Sequence, residues 1–272
     1  MSDRTTAPTL PTASPSDRRK SNNAAAPTAI EPMALPDFSE FGQVRAEPTS
    51  RFARISATNL TRSWASIPHV THHDDADVTQ MEVFRKSLAD DSANPGVRVT
   101  GLVFHIKALA DCLRRFPIFN SSLSADGETL WMKDYVHIGF AVDTDYGLTV
   151  PVVRDADTKG IWQLAQEIAA LIEHALAHKL RAEEIQGACI TISNLGGIGG
   201  QSFTPIINPP EVAILGVTRA RIIPHWQDGA FVPRLMCPLD LSYDHRVING
   251  AEAARFVAHY CSLLANPERI GL

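Results

Sequence analysis

Helix-like and strand-like patterns alternate along the chain from residue 50 to its end, and this alternation constrains the fold most strongly. Apolar residues at helical spacing predict helices over 50–66, 79–88, 101–116 and 162–180. Short apolar or alternating runs predict strands over 70–77, 135–143, 148–153, 189–193 and 212–217. Chains with this order of elements pack helices against a sheet, so the sequence predicts an α/β fold with a mixed sheet.

The first 37 residues differ in composition from the rest of the chain. They are rich in Pro, Ala, Ser and Thr and contain few large apolar residues. Such a segment buries too little apolar surface to offset the entropy lost on ordering. We therefore expect a disordered linker over residues 1–37 and one folded domain over residues 38–272.

Composition and charge exclude several classes of protein. The net charge is −5 and no basic block is present, so a nucleic-acid partner is not expected. No apolar run approaches the roughly 18 residues that a membrane-spanning helix needs. The four cysteines are scattered without metal-ligand or disulfide-framework spacing, which predicts free thiols in a reducing cytoplasm. A metal at 72–75 is not expected, because adjacent residues on a strand point to opposite faces.

His245 is the first candidate for a catalytic residue. It follows a predicted strand with alternating Leu239, Leu241 and Tyr243, and it precedes a helical pattern that starts at Ala251. Asn249 is a predicted N-cap, with Glu252 completing a capping box. His245 would then lie on a short connection, close to polar groups able to fix its tautomer: Asp244, Arg246 and Asn249. From these residues alone, an ordinary loop histidine followed by a helix cap is the more common interpretation.

Ser193 is the second candidate. It ends a predicted buried strand where the Gly196–Gly200 stretch begins, and its hydroxyl can donate one hydrogen bond to a developing oxyanion. The alternative is a serine that only closes the strand. No Gly-x-Ser-x-Gly elbow surrounds it, so a nucleophilic role is not predicted. The glycine stretch lacks the lysine of a phosphate-binding loop and is interpreted as a flexible loop.

The segment Ser242–Gly250 resembles the His-Arg-x-x-Asp-Gly signature of the dihydrolipoamide acyltransferases, the E2 components of 2-oxo acid dehydrogenase complexes. Further blocks resemble the same family and occur in its order: Asn59–Trp64, Ile67–Thr71, Phe119–Leu123, Ile138–Thr144, Gly147–Val153, Thr191–Gly196 and Asn208–Gly216. Among the E2 classes, the sequence is most similar to bacterial pyruvate dehydrogenase acetyltransferases.

The resemblance implies a fold and an activity. It implies a two-layer sandwich with a mixed sheet, as in chloramphenicol acetyltransferase, and transfer of acetyl between lipoamide and coenzyme A. His245 would be the general base, since an imidazole with an ordinary pKa of about 6.5 suits deprotonation of a thiol. Ser193 would be the oxyanion donor. Asn249 stands where the commonest family pattern has Asp, which favours a geometric role, and Arg85 is the expected supporting contact to this position.

The resemblance also implies an assembly. It predicts a homotrimer in which His245 of one chain and Ser193 of its neighbour face one site, with a 24-mer or larger shell as a further level. In the family the C-terminal end, 267–272, docks trimer to trimer, although its composition alone suggests a frayed terminus with exposed apolar residues. E1 and E3 components are possible partners. The lipoyl group would come from another domain or protein, because the chain contains no lipoylation hairpin.

Two other functions are compatible with the sequence. One is a coenzyme A-dependent acetyltransferase with a different small acceptor, such as an antibiotic or an acetoin-pathway intermediate. The other is a non-catalytic scaffold core, against which the presence of both His245 and Ser193 argues. His69 is a candidate either for the lining of the substrate channel or for a structural role.

Overall fold

The structure, a computed structural model, describes residues 34–88 and 96–270. The chain divides into two compact units, Met1–Pro48 and Thr49–Leu272. In the first unit the described residues are exposed and contain one 3₁₀ turn, Phe38–Glu40, where the Asp37 carboxylate accepts a hydrogen bond from the Ser39 amide at 2.9 Å. Most of the predicted linker, residues 1–33, lies outside the described residues.

The helices of the second unit follow the predicted order. They are α1 (Arg51–Ser66), α2 (Thr79–Ser87), α3 (Gly101–Arg115), α4 (Ile161–Leu176) and α5 (Gly250–Ala265). Helix α1 begins after Ser50, whose side chain accepts a hydrogen bond from the Ala53 amide at 3.1 Å. Helix α4 ends four residues before the predicted Leu180, and His178 has the left-handed φ of 57°. A side-chain cap therefore marks the start of α1, and a left-handed residue follows the end of α4.

The strands are more numerous than predicted. They are β1 (His69–Asp77), β2 (Ser121–Leu123), β3 (Leu130–Met132), β4 (Ile138–Phe140), β5 (Val142–Thr144), β6 (Gly147–Thr149), β7 (Val152–Val153), β8 (Ile190–Asn194), β9 (Ala213–Val217), β10 (Arg221–Gln227) and β11 (Ala230–Asp244). The predicted strands over 135–143 and 148–153 are each divided. Strands β4 and β7 pair in the main sheet, whereas β5 and β6 form a separate hairpin.

The main sheet is mixed, as predicted. Its order is β1-β11-β9-β8-β4-β7, and β10 pairs with the first part of β11. Strands β8 and β9 are parallel, as are β4 and β8, and the remaining pairs are antiparallel. The parallel pairs lie at the centre of the sheet, where β8 carries Ser193.

The two faces of the sheet differ in character. Leu239, Leu241 and Tyr243 of β11 are buried in the main hydrophobic core, together with residues of α3, α4 and α5. The intervening residues Asp240 and Ser242 point to the opposite face and are also buried, with exposed fractions of 1% and 0%. Ser63 of α1 donates to the Ile207 carbonyl at 2.6 Å, so α1 and the connection from β8 to β9 lie over this second face. The candidate site lies on this polar face.

The end of the described chain is packed. A 3₁₀ turn over Pro267–Ile270 buries both Pro267 and Ile270, and Ile270 belongs to the main core. The expectation of a frayed terminus is therefore wrong as far as Ile270, because the core supplies an apolar surface that composition alone does not reveal. Residues 271 and 272 lie outside the described residues. None of the described helices combines the length and apolarity required to cross a membrane.

Candidate active site

His245 lies on the turn that joins β11 to α5. Its amide donates to the Pro68 carbonyl at 3.1 Å, and His245 is an exposed residue. The turn is closed by the Asp244 carbonyl, which accepts hydrogen bonds from the Val247 and Ile248 amides at 3.0 Å each. A long strand on one side and a capped helix on the other therefore hold the backbone of His245 in place.

The polar neighbours of His245 are bonded to other groups. Arg246 donates to the Asp244 carboxylate at 2.6 and 2.9 Å, and this carboxylate raises the pKa of Arg246. Asn249 accepts from the Glu252 amide at 3.0 Å while Glu252 accepts from the Asn249 amide at 3.1 Å, which confirms the predicted capping box. None of the other described residues hydrogen-bonds to the His245 ring. The expectation that these neighbours fix its tautomer is wrong for the isolated chain, because each has a nearer partner.

Arg85 does not reach Asn249. Its guanidinium donates to both carboxylate oxygens of Glu82 at 2.7 Å and to the Val99 carbonyl at 3.3 Å. The two residues are three positions apart on α2, so one helix face brings them together. The predicted supporting contact is therefore not formed within one chain, where a local bidentate partner satisfies the arginine first.

Ser193 lines a cavity of about 210 Å³. The walls come from α1, from the hairpin region and from the connection that follows β8: Ser56, Asn59, Leu60, Ser63, Ala141, Leu148, Val150, Ile206, Ile207, Asn208 and Pro209. Ser193 is partly buried, and no described residue hydrogen-bonds to its hydroxyl. The cavity therefore presents an available hydroxyl donor against a mostly apolar wall.

A buried carboxyl group supports the floor of this cavity and was not predicted from the sequence. Glu211 is 3% exposed, and its Oε1 accepts from Thr191 Oγ1 at 2.8 Å and from Asn208 Nδ2 at 3.1 Å. Its other oxygen has no partner among the described residues. Burial raises the pKa of Glu211 to about 7, against the smaller lowering effect of Thr191 and Asn208. In the sequence, Glu211 after Pro209-Pro210 has the pattern of an ordinary turn residue.

His69 has a structural role. Its Nδ1 lies 2.9 Å from the Ile67 carbonyl, and its Nε2 accepts from the Ile207 amide at 3.0 Å. Both ring nitrogens are thus bonded to backbone, and Trp64 packs against the ring with centroids 5.2 Å apart. The imidazole links α1, β1 and the connection to β9, and it has no free nitrogen for a substrate.

Ser193 and His245 do not meet within one chain. Ser193 lies opposite Gly216 on β9, and Gly216 lies opposite Asp240 on β11, five residues before His245. Strands are about 4.8 Å apart and rise about 3.3 Å per residue, so the two side chains are separated by roughly 15 Å or more. A site that uses both groups therefore has to draw them from two chains.

The thiols and potential metal ligands show no reactive arrangement. All four cysteines are free, and burial raises the pKa of Cys237 and of Cys261 to about 12. A thiol with so high a pKa remains protonated and weakly nucleophilic at neutral pH. Within residues 34–88 and 96–270, no group of three His, Cys, Asp or Glu side chains is arranged to hold a metal ion.

Comparisons with known proteins give one consistent family. Residues 41–272 match the model of the 2-oxoacid dehydrogenases acyltransferase (catalytic domain). The chain is 52% identical over 251 residues to the dihydrolipoyllysine-residue acetyltransferase component of the pyruvate dehydrogenase complex of Pseudomonas aeruginosa, which covers 92% of this chain and 46% of that protein. Its counterpart from Azotobacter vinelandii is 54% identical over 230 residues, or 85% of this chain and 36% of that one. The chain thus spans less than half the length of these relatives.

Solved structures agree in fold. A dihydrolipoamide acetyltransferase (E2p) of Azotobacter vinelandii, studied for the role of a serine, a histidine and an asparagine in its catalytic mechanism, superposes with a TM-score of 0.86 at 52% identity and covers 89% of this chain and 99% of that one. The cubic core of a pyruvate dehydrogenase multienzyme complex gives the same TM-score, identity and coverage. A chloramphenicol acetyltransferase, at 17% identity and a TM-score of 0.51, covers 76% of this chain and 94% of that one. This last likeness concerns the fold alone, which is the predicted one.

Proposed function

The chain belongs to the family of 2-oxoacid dehydrogenase acyltransferases (catalytic domain), and from this premise we propose that it transfers an acetyl group between lipoamide and coenzyme A. His245 is the general base and Ser193 the oxyanion donor. Asn249 holds the histidine turn by capping α5 rather than by carrying charge. The proposed acyl group is acetyl because the relatives from Pseudomonas aeruginosa and Azotobacter vinelandii are both named as acetyltransferases.

One observation carries this proposal. The serine, histidine and asparagine under study in the Azotobacter vinelandii enzyme are separated by the same intervals as Ser193, His245 and Asn249. An asparagine at the third position therefore occurs in a relative that is 52% identical. This correspondence supports the geometric role of Asn249.

The proposed chemistry balances with these two side chains. The imidazole of His245 takes the proton of the coenzyme A thiol, whose ordinary pKa is near that of free cysteine, about 8.5. The resulting thiolate forms a C–S bond to the carbonyl carbon of the acetyl-lipoamide thioester. Ser193 donates a hydrogen bond to the carbonyl oxygen as negative charge develops there. The tetrahedral intermediate then expels the lipoyl sulfur, which receives the proton from the imidazolium.

The proposed assembly follows from the distance between the two groups. Because Ser193 and His245 lie far apart in one chain, a complete site needs the serine of one copy and the histidine of another. A closed ring of heterologous contacts supplies such sites, and a trimer is the proposed ring. The apolar side chains that α1 exposes, Ile55, Leu60 and Trp64, support a contact surface near the Ser193 cavity.

The proposed function also involves substrates, partner proteins and a location in the cell. Coenzyme A and a lipoylated protein domain are the proposed substrates, with E1 and E3 components as further partners and a cubic or larger shell as the higher assembly. The cubic core of a related complex supports the last point. A cytoplasmic location is proposed because all four cysteines are free thiols.

The test is acetyl transfer from acetyl-coenzyme A to dihydrolipoamide, with S-acetyldihydrolipoamide measured by chromatography. We expect activity from the purified chain and a loss of at least about 10²-fold in His245→Ala. His225→Ala, at an exposed histidine on β10, is the matched control and should retain activity. Acetylation of chloramphenicol but not of dihydrolipoamide would identify the other acceptor class. A wild-type chain inactive on both acceptors would point to a scaffold.

A further inference from the structure

One row of residues crosses four strands on the polar face of the sheet and contains Ser193. Ser193 lies opposite Gly216, Gly216 opposite Asp240, and Asp240 opposite His73. Directly opposed residues point to the same face of a sheet. The Asp240 carboxylate therefore shares the face of the Ser193 hydroxyl, two strands and about 10 Å away.

Asp240 is a buried carboxylate with three donors. It is 1% exposed, and its Oδ1 lies 2.7 Å from Ser202 Oγ and 2.6 Å from His73 Nδ1. Its Oδ2 accepts from the Phe203 amide at 3.1 Å. Burying a carboxylate costs free energy unless hydrogen bonds compensate for the lost hydration. The donors therefore fix the position of the Asp240 carboxylate, and the carboxylate fixes the position of the donors. Two of the three donors belong to consecutive residues of the connection after β8.

The Phe203 ring covers Gly216, the residue between Ser193 and Asp240 in the row. Gly216 lies between these two residues in the row and has no side chain. A Cβ atom at Gly216 would lie 2.8 Å from two carbons of the Phe203 ring and 3.1 Å from Asp240 Cβ. The ring therefore lies directly over the glycine, next to the position of Ser193.

The segment between Ser193 and Phe203 needs anchors at both ends. It contains four glycines, and Gly199 and Gly200 have φ of 150° and 88°. Glycine loses more backbone freedom on ordering than any other residue. At the near end, the Leu195 amide donates to the Val217 carbonyl at 2.8 Å, and Arg219 donates to carbonyls of the loop. At the far end, Thr218 donates to the Gln201 carbonyl at 3.0 Å, and Asp240 binds the next two residues, Ser202 and Phe203.

We propose that Asp240, assisted by His73, is a positioning residue that clamps Ser202 and Phe203, so that the Phe203 ring forms a fixed wall beside the Ser193 hydroxyl. His73 is the secondary partner because its side chain is 54% exposed. The role in turnover rests on the proposed function of Ser193, whereas the clamp itself is a property of the folded chain.

The test combines hydrogen exchange with kinetics on the assembled protein. In Asp240→Ala we expect the amides of residues 196–203, and that of Phe203 above all, to exchange at least about tenfold faster. We expect kcat for acetyl transfer to fall by about 10- to 100-fold with KM for coenzyme A changed by less than about twofold, because a displaced donor affects the transition state. Asp240→Asn, which retains an acceptor for the Phe203 amide, should recover part of both effects.

The control is Asp75→Ala, which removes an exposed carboxylate from the strand that carries His73. It should change neither exchange nor kcat. Unchanged exchange of 196–203 in Asp240→Ala would overturn the clamp, and faster exchange with unchanged kcat would overturn the positioning role. If Asp240→Ala does not fold, Ser202→Ala and Asp240→Asn decide the same two questions. If the wild-type chain shows no acetyl transfer, the proposed function fails while the exchange data still decide the clamp.

Discussion

Buried polar side chains, considered one at a time, determine much of what this site can do. Asp240 and Ser242 are almost fully buried on the polar face, and each has a partner: Asp240 bonds Ser202, and Ser242 bonds Thr71 at 2.8 Å. Glu211 is the exception, because one of its oxygens has no partner among the described residues. A carboxyl group in that situation favours its neutral form.

Glu211 should make the protein less stable as pH rises. Its pKa is about 7 in the folded chain and 4.5 in an unperturbed glutamate, so the folded state binds more protons between these values. The contribution of Glu211 to the free energy of unfolding is therefore fully present below pH 4.5. It is lost as the pH rises to 7, by on the order of 3 kcal/mol. Glu211→Gln removes the titration. Urea unfolding at fixed protein concentration should show that the stability of the wild type relative to this variant decreases between pH 5 and pH 8. A constant difference would contradict the raised pKa.

The contribution of His105 to the stability of the fold should have the opposite pH dependence. It is 4% exposed, its Nδ1 lies 2.6 Å from the Tyr260 hydroxyl, and burial lowers its pKa to about 4. The unfolded chain takes up a proton near pH 6.5 before the folded chain does, so this contribution to stability is lost as pH falls from 6.5 towards 4. In His105→Gln, the difference in unfolding free energy from the wild type should shrink over that range. Denaturation curves at pH 7 and pH 5 measure it, and equal differences at the two values would refute the prediction.

Helix α5 links local sequence to the position of the candidate base. Its capping box begins at Asn249, four residues after His245, and the cap fixes where the turn ends. Asparagine and aspartate are comparable N-caps, whereas alanine cannot accept the hydrogen bond. Substitutions at Asn249 therefore test whether this residue acts through its capping hydrogen bond.

We expect Asn249→Asp to retain both stability and acetyl transfer, and Asn249→Ala to lose about 1 kcal/mol of stability together with activity. Thermal or urea unfolding and the dihydrolipoamide assay, run on both variants, provide the comparison. A gain of activity in Asn249→Asp well beyond the wild type would instead indicate that the charge of the usual aspartate matters.

The proposed site becomes complete only when chains assemble. Helix α1 exposes 52% of Ile55, 49% of Leu60 and 58% of Trp64, so its apolar pattern is not explained by the core of one chain. Exposed apolar surface of this kind marks contact with another molecule. The same helix lines the Ser193 cavity, which places the contact surface at the site.

Complementation between inactive chains tests this arrangement. Ser193→Ala and His245→Ala should each be nearly inactive alone. When the two are co-expressed and assemble at random, about a quarter of the sites should combine a chain that retains Ser193 with a chain that retains His245 in a cyclic assembly. Acetyl transfer should therefore reappear at roughly that fraction of wild-type activity. Native mass spectrometry of the mixture checks that mixed particles form, and mixed particles without activity would refute a site shared between chains.

Several elements could be predicted from the sequence because their signals are local. The alternation of Leu239, Leu241 and Tyr243 predicts β11, and Asn249 with Glu252 predicts the start of α5. The hairpin region was predicted less well. Residues 135–143 and 148–153 each carry an uninterrupted strand-like pattern, but the chain leaves the main sheet after β4 and returns at β7. Periodicity does not reveal with which partner a strand pairs.

The site was predicted in part. His245, Ser193 and Asn249 were singled out from a turn, a strand end and a cap, and their catalytic roles remain predictions. Arg85 was assigned to Asn249 by resemblance, whereas a glutamate three residues away on the same helix binds it in this chain. Asp240 and Glu211 were missed, because an acidic residue in a strand or after a proline pair has no local signal of burial.

The order of elements, the caps of α5 and the apolar face of β11 were determined by the sequence alone, since each depends on residues within a few positions of one another. The tertiary structure decided which distant residues share the polar face. Strand order places Asp240 beside Gly216 and Ser193, folds Ser202 and Phe203 back over them, and keeps His245 far from Ser193. These relations depend on pairing between segments more than 20 residues apart in the sequence. Such pairing is selected by the burial of the whole sheet, which no local pattern encodes.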